Sequence, residues 1–148
     1  MKRILAIALA ATTCMSTNAN PWLPFTAENY YLIPAEKVDI MAFANIHNGK
    51  ISVVLSDASG KHCGKNEDSP VKPAGVFKVN EQFVRFIEAC LNGKRMLAAE
   101  SQAGKDFFAD AITTKPTSVD IGAGVKLHFA GENFEAAKKT MIEAQSTL

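Results

Sequence analysis

Apolar and polar residues alternate through residues 38–57 with the two-residue period of a β-strand. The segment is centred on Asn48-Gly49, the dipeptide most typical of a two-residue hairpin turn. A turn at that point opposes apolar residues on one face, namely Ile46 to Ile51, Ala44 to Val53 and Ala42 to Leu55. This register turns one apolar face inward and so predicts a hairpin. The alternative is a helix over residues 34–47, with Pro34 in its first turn and Gly49 after its end.

A second alternating region follows, interrupted by two short turns. Its predicted segments, in order, are the strand 76–79, the turn Asn80-Glu81, the strand 83–91, the turn Asn92-Gly93 and the strand 94–100. The turns predict a three-stranded meander in which Glu88 and Arg95 are diagonal neighbours that can form an ion pair. Both faces of the meander are substantially apolar, so we expect both to be covered, with helices as the natural covering elements.

The last third of the chain predicts two helices separated by a hairpin. Ser101 is a typical N-cap residue for a helix from residue 102 to about residue 113. Residues 119–129 form a hairpin around Gly122-Ala123-Gly124. Asn133 is predicted to cap the last helix. The apolar stripe of that helix consists of Phe134, Ala137, Met141 and Ala144.

The start of the chain has the composition of a secretory signal. Two basic residues precede an apolar run, and small and polar residues then lead to Ala19. The run is far shorter than the roughly 20 residues that a membrane-spanning helix needs. We therefore predict a bacterial signal peptide over residues 1–19 and export to the periplasm or the cell exterior. A lipoprotein acylated at Cys14 is the disfavoured alternative, because Thr13 is a poor match to the small residue required before such a cysteine.

The elements together predict an α+β fold over residues 36–148: an antiparallel sheet of hairpins and a meander, with two helices packed on it, in a single domain. The polar segment 58–75 is predicted to be a long loop. Cys63 lies in this loop and Cys90 lies in the meander, and both remain after signal removal. In an oxidising compartment the two cysteines predict one disulfide that pins the loop, with a reactive thiol as the alternative.

Charge narrows the classes of partner. The chain carries 16 basic and 15 acidic side chains, and removal of Lys2 and Arg3 with the signal leaves 14 basic against 15 acidic. A near-neutral chain argues against nucleic acid or an anionic membrane as an obligate partner. We also expect no membrane insertion after signal cleavage, because no second apolar run is long enough.

Residues 20–35 combine prolines with aromatic side chains, and they predict an irregular aromatic arm. Its rings are Trp22, Phe25, Tyr30 and Tyr31. Burial of these rings across the core is one interpretation. The other is an exposed patch for a partner protein, with the pinned loop as its polar rim. The rim residues are Lys61, His62, Lys65, Glu67 and Asp68.

Catalytic, cofactor and metal signatures are absent from the sequence. The histidines His47, His62 and His128 lack further ligands at the spacing of a zinc site. Gly122-Ala123-Gly124 lacks the strand-to-helix context of a phosphate-binding loop. Four carboxylates could come together in the fold as a catalytic pair, namely Glu28, Glu36, Glu88 and Asp110. The sequence does not show that they do, and such groups are ordinarily solvated at the surface.

These observations favour an exported, non-enzymatic protein-binding module that needs no cofactor or metal. An inhibitor, an immunity-type protein or an accessory component of an envelope system would each fit. The predicted contact surface is the aromatic arm together with the polar rim of the loop. The alternative is a small periplasmic hydrolase whose carboxylates converge only in the fold.

Overall fold

The computed structural model of the chain describes residues 19–146. Apart from Ala19, the predicted signal peptide lies outside the described residues. The described chain forms eleven strands and two helices. The strands are β1 (Asn20–Pro21), β2 (Leu23–Thr26), β3 (Asn29–Leu32), β4 (Ile40–His47), β5 (Lys50–Asp57), β6 (Lys72–Val79), β7 (Gln82–Leu91), β8 (Lys94–Ala99), β9 (Thr117–Asp120), β10 (Lys126–Phe129) and β11 (Gly131–Glu132). The helices are α1 (Gln102–Thr114) and α2 (Phe134–Gln145).

Nine of these strands form one antiparallel sheet in the order β10-β9-β6-β7-β8-β5-β4-β3-β2. The remaining two, β1 and β11, pair in parallel. Since β1 precedes one edge strand and β11 follows the other, this pairing brings the two edges of the large sheet together at one end. The Ala35 backbone N–H also donates to the His128 carbonyl oxygen on β10 at 2.8 Å. The sheet is therefore curled.

The predicted hairpin is confirmed. Strands β4 and β5 pair in the expected register, with Ile46 opposite Ile51 and His47 opposite Lys50. Asn48 and Gly49 have φ values of +49° and +75°, the positive values that a type I′ turn requires at both central residues. The alternative helix over residues 34–47 is wrong, because the turn chemistry and the two-residue period agree on a strand.

The meander is also confirmed, and the largest change in its bounds is at the start of its first strand. Strands β6, β7 and β8 are joined by the two predicted turns, and Arg95 donates a hydrogen bond from Nε to the Glu88 carboxylate. Strand β6 begins at Lys72 rather than at residue 76, because an irregularity between Pro73 and Gly75 lets the chain enter the ladder earlier. The loop that precedes it is correspondingly shorter, covering residues 58–71.

The two helices begin as the sequence indicated, although by different means. Ser101 caps α1, since its Oγ accepts the Gly104 backbone N–H at 3.0 Å. Asn133 is the N-cap residue of α2, as predicted, but its side chain forms no capping hydrogen bond. Its backbone is left-handed, with φ of +58°, and its Oδ1 accepts the Trp22 backbone N–H at 3.0 Å instead. Asn133 thus ties the N-terminal segment to the last helix.

The hydrophobic core lies between one face of the sheet and both helices. Strand residues with buried side chains alternate with exposed ones, as on Ala42, Ala44 and Ile46 of β4. Phe108 of α1 and Met141 of α2 belong to the same buried cluster as these strand residues. Both helices therefore pack on one face. The prediction that both faces of the meander are covered is wrong, because no described helix lies on the opposite face.

The N-terminal segment is not irregular, which corrects the expectation for residues 20–35. It forms β1, which pairs with β11, and the strands β2 and β3, which extend the large sheet at one edge. Pro24 is compatible with this position because it lies on the edge strand, where a missing backbone N–H breaks no inner ladder. Trp22 is 1% exposed and packs edge-to-face on Phe134, with ring centroids 5.1 Å apart.

The Cys63–Cys90 disulfide is present, and the loop between β5 and β6 is pinned by it. Hydrogen bonds also attach this loop to the end of β7 and to the turn between β7 and β8. The Ser69 backbone N–H donates to the Cys90 carbonyl oxygen at 3.0 Å, and the Gly93 N–H donates to the Glu67 carbonyl oxygen at 2.9 Å. The loop is thus held at several points and forms a fixed part of the surface.

We expect Gly93→Ala to lower the free energy of unfolding more than Gly49→Ala does. Both glycines have positive φ, which costs about 1 kcal/mol for an alanine. A methyl group on Gly93 would also lie 2.9 Å from the Asn66 backbone nitrogen, whereas Gly49 has open space around it. Overpacking adds about 1–3 kcal/mol. Equal losses for the two variants in urea unfolding would contradict close docking of the loop on this turn.

Candidate binding surface

The uncovered face of the large sheet is strongly apolar. Cα partners in an antiparallel ladder project to the same side, so the register identifies the rows that cross this face. One row runs Leu23, Tyr31, Phe43 and Val54, and the next runs Met41, Ser56, Met96 and Ala89. We call the surface formed by these residues and their neighbours on the same side of the sheet the open face.

Aromatic rings cluster near one edge of the open face. Phe43 contacts Phe25 edge-to-face with ring centroids 5.5 Å apart, and it contacts Tyr31 at 5.9 Å. A cleft of about 440 Å³ runs from these rings toward the β7–β8 turn. Its lining includes Phe25, Phe43, Val54, Leu91 and Met96, with asparagine, serine and Lys94 side chains among them.

Several large apolar side chains of the open face are exposed to solvent. Phe25, Val76, Phe83 and Leu91 are between 56% and 66% exposed. They account for four of the seven large apolar side chains that are exposed in the described part of the chain. Single exposed apolar residues are ordinary, whereas grouped ones indicate a contact site, and Phe25 and Leu91 line the same cleft. The open face is therefore the leading candidate for a binding surface.

The predicted aromatic arm is divided between the core and this surface. Trp22 is buried, so its predicted role as an exposed contact residue is wrong. Tyr30 is half-buried against the core. Phe25 and Tyr31 lie on the open face. Strand alternation explains the division, since Tyr30 pairs with inward-facing Ala44 and Tyr31 pairs with outward-facing Phe43.

The predicted polar rim is divided as well. Asp68 accepts the Asn92 backbone N–H through Oδ1 at 2.7 Å, and the Glu67 carboxylate accepts the Gly64 N–H. These two acids hold the loop in place at the end of the open-face cleft. Lys61 and His62 line a different cleft, and Lys65 is exposed on the same loop. The structure does not join all five residues to the aromatic cluster.

The second cleft contains an acid that sequence analysis did not single out. Asp57 is 4% exposed, its Oδ1 accepts the Ser59 backbone N–H at 2.9 Å, and its Oδ2 lies 3.7 Å from His62 Nε2. Asp39 lines the same cleft, which has a volume of about 280 Å³. The hairpin register could have revealed that Asp57 is buried, because it places Asp57 opposite Ile40 on the inward face.

The four carboxylates that could have formed a catalytic pair lie apart in the structure. Glu88 contacts Arg95 and lies 3.6 Å from Lys72 Nζ. Glu36 contacts His128 on β10, while Glu28 and Asp110 are exposed elsewhere. Within residues 19–146, no group of three or more His, Cys, Asp and Glu side chains is arranged to hold a metal ion.

Glu36 attaches the segment after β3 to the edge strand β10. Its carboxylate accepts the His128 backbone N–H at 2.9 Å and contacts ring atom Nδ1 of the same residue. Burial alone would raise the pKa of Glu36, but its hydrogen bonds with His128 outweigh burial and hold that pKa below its ordinary value of 4.5.

We expect the free energy of unfolding of Glu36→Gln to change less with pH in the acidic range than that of the unmodified chain. A carboxylate with a lowered pKa stabilises the fold above its ordinary pKa, and that contribution is lost as pH falls through the folded-state value. The variant should therefore be less stable at neutral pH, by under about 1 kcal/mol for a partly exposed pair. The deficit should shrink as pH falls below 4.5, because the carboxylate of the unmodified chain then becomes protonated. Urea unfolding across pH measures this, with the largely exposed Glu81→Gln as control. A deficit independent of pH would contradict it.

Comparison with protein-family models found no match, and comparisons with curated proteins and with solved structures found none either. No helix in the described part of the chain combines the length and apolar character needed to cross a membrane. The open face and the second cleft are the two candidate functional sites of the described chain.

Proposed function

We propose that this chain is an exported bacterial protein-binding module without enzymatic activity, and that the open face is its contact surface. An inhibitor, an immunity-type protein or an accessory component of an envelope system would each use such a surface. The observation that carries the proposal is a sheet face left uncovered by both helices, with large apolar side chains exposed along it.

The composition of the open face supports a protein partner. Aromatic residues and methionine are enriched in the buried centres of protein interfaces, and Phe25, Tyr31, Phe43 and Met96 provide them here. Most of these side chains are partly buried against one another, so the surface is preorganised for contact. The disulfide is typical of proteins that fold in an oxidising compartment, which supports export.

A photo-crosslinking side chain placed at Phe25 tests the proposal in cells. A matched crosslinker at Ile142, an exposed apolar position on α2, serves as the control. We expect a specific protein adduct from position 25 and none from position 142. The identified partner, once purified, should bind Phe25→Ala about 5–30-fold more weakly than the unmodified chain, as for an interface hot spot. Equal affinities, or adducts from position 142 alone, would contradict the proposal.

A small hydrolase is the second candidate, and the cleft at Asp57 is the observation that favours it. A buried carboxylate beside a half-exposed histidine resembles the acid–base pairs that move protons in hydrolysis. We expect such activity to appear as ester or amide hydrolysis that His62→Ala abolishes and Lys65→Ala retains. Absence of turnover across a panel of chromogenic esters and peptides would remove this candidate.

A further inference from the structure

Charge is unevenly distributed between the two faces of the sheet. The open face carries five basic strand residues, and Asp120 is its one acidic strand residue. The basic residues are Lys50, Lys78, Arg85, Lys94 and Lys126. Their orientation follows from their partners, since Lys94 opposes Leu91, Arg85 opposes Val76, and both Lys78 and Lys126 oppose Asp120. A chain that is nearly neutral overall thus concentrates positive charge on its exposed apolar face.

Most of these basic side chains form no ion pair within the described residues. Lys78 contacts Glu81 at 3.4 Å, but the other four basic residues form no ion pair with any residue from 19 to 146. Lys94 lines the cleft beside Leu91 and Met96. An unpaired cation next to an apolar cleft is positioned to pair with an anionic group of whatever occupies that cleft.

Building on the proposed function, we propose that the partner of the open face is an acidic protein surface, in which Asp or Glu side chains flank apolar anchors. The apolar anchors fill the cleft between Phe25 and Met96, and the acids pair with Lys50 and Lys94. A second copy of this chain is a poor occupant, because two open faces would bring their basic residues together and like charges repel.

A random-peptide library displayed on phage is a defined probe for this proposal. We expect selection on the unmodified mature chain to enrich peptides that combine Asp or Glu with aromatic or aliphatic residues. The double variant Lys50→Glu/Lys94→Glu should bind the enriched synthetic peptides at least about tenfold more weakly, since each cation is replaced by a repelling charge. Raising the salt concentration should weaken binding of the unmodified chain as well.

The matched control is Lys105→Glu/Lys138→Glu, which changes net charge equally but alters the two helices instead of the open face. It should bind the peptides as the unmodified chain does. Enrichment of neutral or basic peptides whose binding Phe25→Ala weakens would overturn the acidic partner and leave the protein-binding function standing. Failure to enrich any peptide that depends on Phe25 would overturn both.

Binding to lipid vesicles tests whether the negative charge that the open face recognises belongs to a membrane rather than to a protein. Vesicles of phosphatidylglycerol and phosphatidylcholine should not retain the chain more than vesicles of phosphatidylcholine alone. Retention that depends on phosphatidylglycerol and is lost in Lys50→Glu/Lys94→Glu would assign the open face to an anionic membrane surface, and it would overturn the proposed protein partner.

Discussion

Trp22→Ala is expected to lower the free energy of unfolding by about 3–5 kcal/mol, the cost of removing a large buried aromatic side chain. The indole is buried against Phe134 and lies over Gly131, where an added methyl group would be 2.4 Å from Nε1. Because the indole is packed so closely, its removal would leave a cavity that the surrounding strands cannot readily fill. Urea unfolding followed by circular dichroism measures the loss.

Two further variants sharpen this test. Trp22 Nε1 is buried and has no hydrogen-bond partner among the described residues. Trp22→Phe should therefore cost much less than Trp22→Ala, because it keeps most of the apolar contact and removes an unsatisfied donor. Phe25→Ala should change stability by at most about 1 kcal/mol, since this ring is exposed apart from its contact with Phe43. Equal losses for Trp22→Ala and Phe25→Ala would contradict the division between core and surface.

The parts of the fold that the sequence predicts well are those fixed by local chemistry. The dipeptides Asn48-Gly49 and Asn92-Gly93 specify tight turns, and each turn sets the register of the strands that flank it. Ser101 caps α1 for an equally local reason. The disulfide was predictable because Cys63 and Cys90 are the two cysteines outside the predicted signal peptide, which leaves a single possible pairing.

The N-terminal strands were missed for two different reasons, a distant partner for β1 and an irregular pattern in β2. Strand β1 pairs with β11, more than a hundred residues along the chain, and β2 contains a proline and a register shift. Neither feature produces the alternation that reveals a strand. The N-cap position of Asn133 was predicted, but its side-chain partner was not, since the side chain accepts the distant Trp22 backbone N–H rather than one from its own helix.

The candidate binding surface was only partly predictable. Apolar residues on both sides of the meander are compatible with two covered faces or with one covered and one exposed face. The choice depends on where the helices pack, which is a tertiary property. Sequence analysis proposed Phe25 and Tyr31, together with Trp22 and Tyr30, as contact residues because of their chemistry. The register was needed to place Phe43, Val54 and Met96 beside Phe25 and Tyr31.

Loss of the disulfide is the second large effect that we expect. Replacement of Cys63 and Cys90 by serine should lower the free energy of unfolding by about 2–5 kcal/mol, because the unfolded chain regains the freedom of a long loop. Cys90 lies on β7 within the sheet, and Cys63 lies in the loop between β5 and β6. Stability measured in urea with and without reductant should differ for the unmodified chain and coincide for the double serine variant.

The same variant separates the two candidate sites. Hydrogen bonds at Ser69 and Gly93 attach the far end of the loop to the β7–β8 turn without the disulfide, so the open-face cleft should retain its shape. His62 lies next to Cys63 and depends on the bridge for its place near Asp57. We therefore expect the double serine variant to bind open-face peptides with unchanged affinity under conditions where it is folded, and to lose any hydrolysis that requires His62. Loss of peptide binding by a folded variant would show that the disulfide shapes the open face.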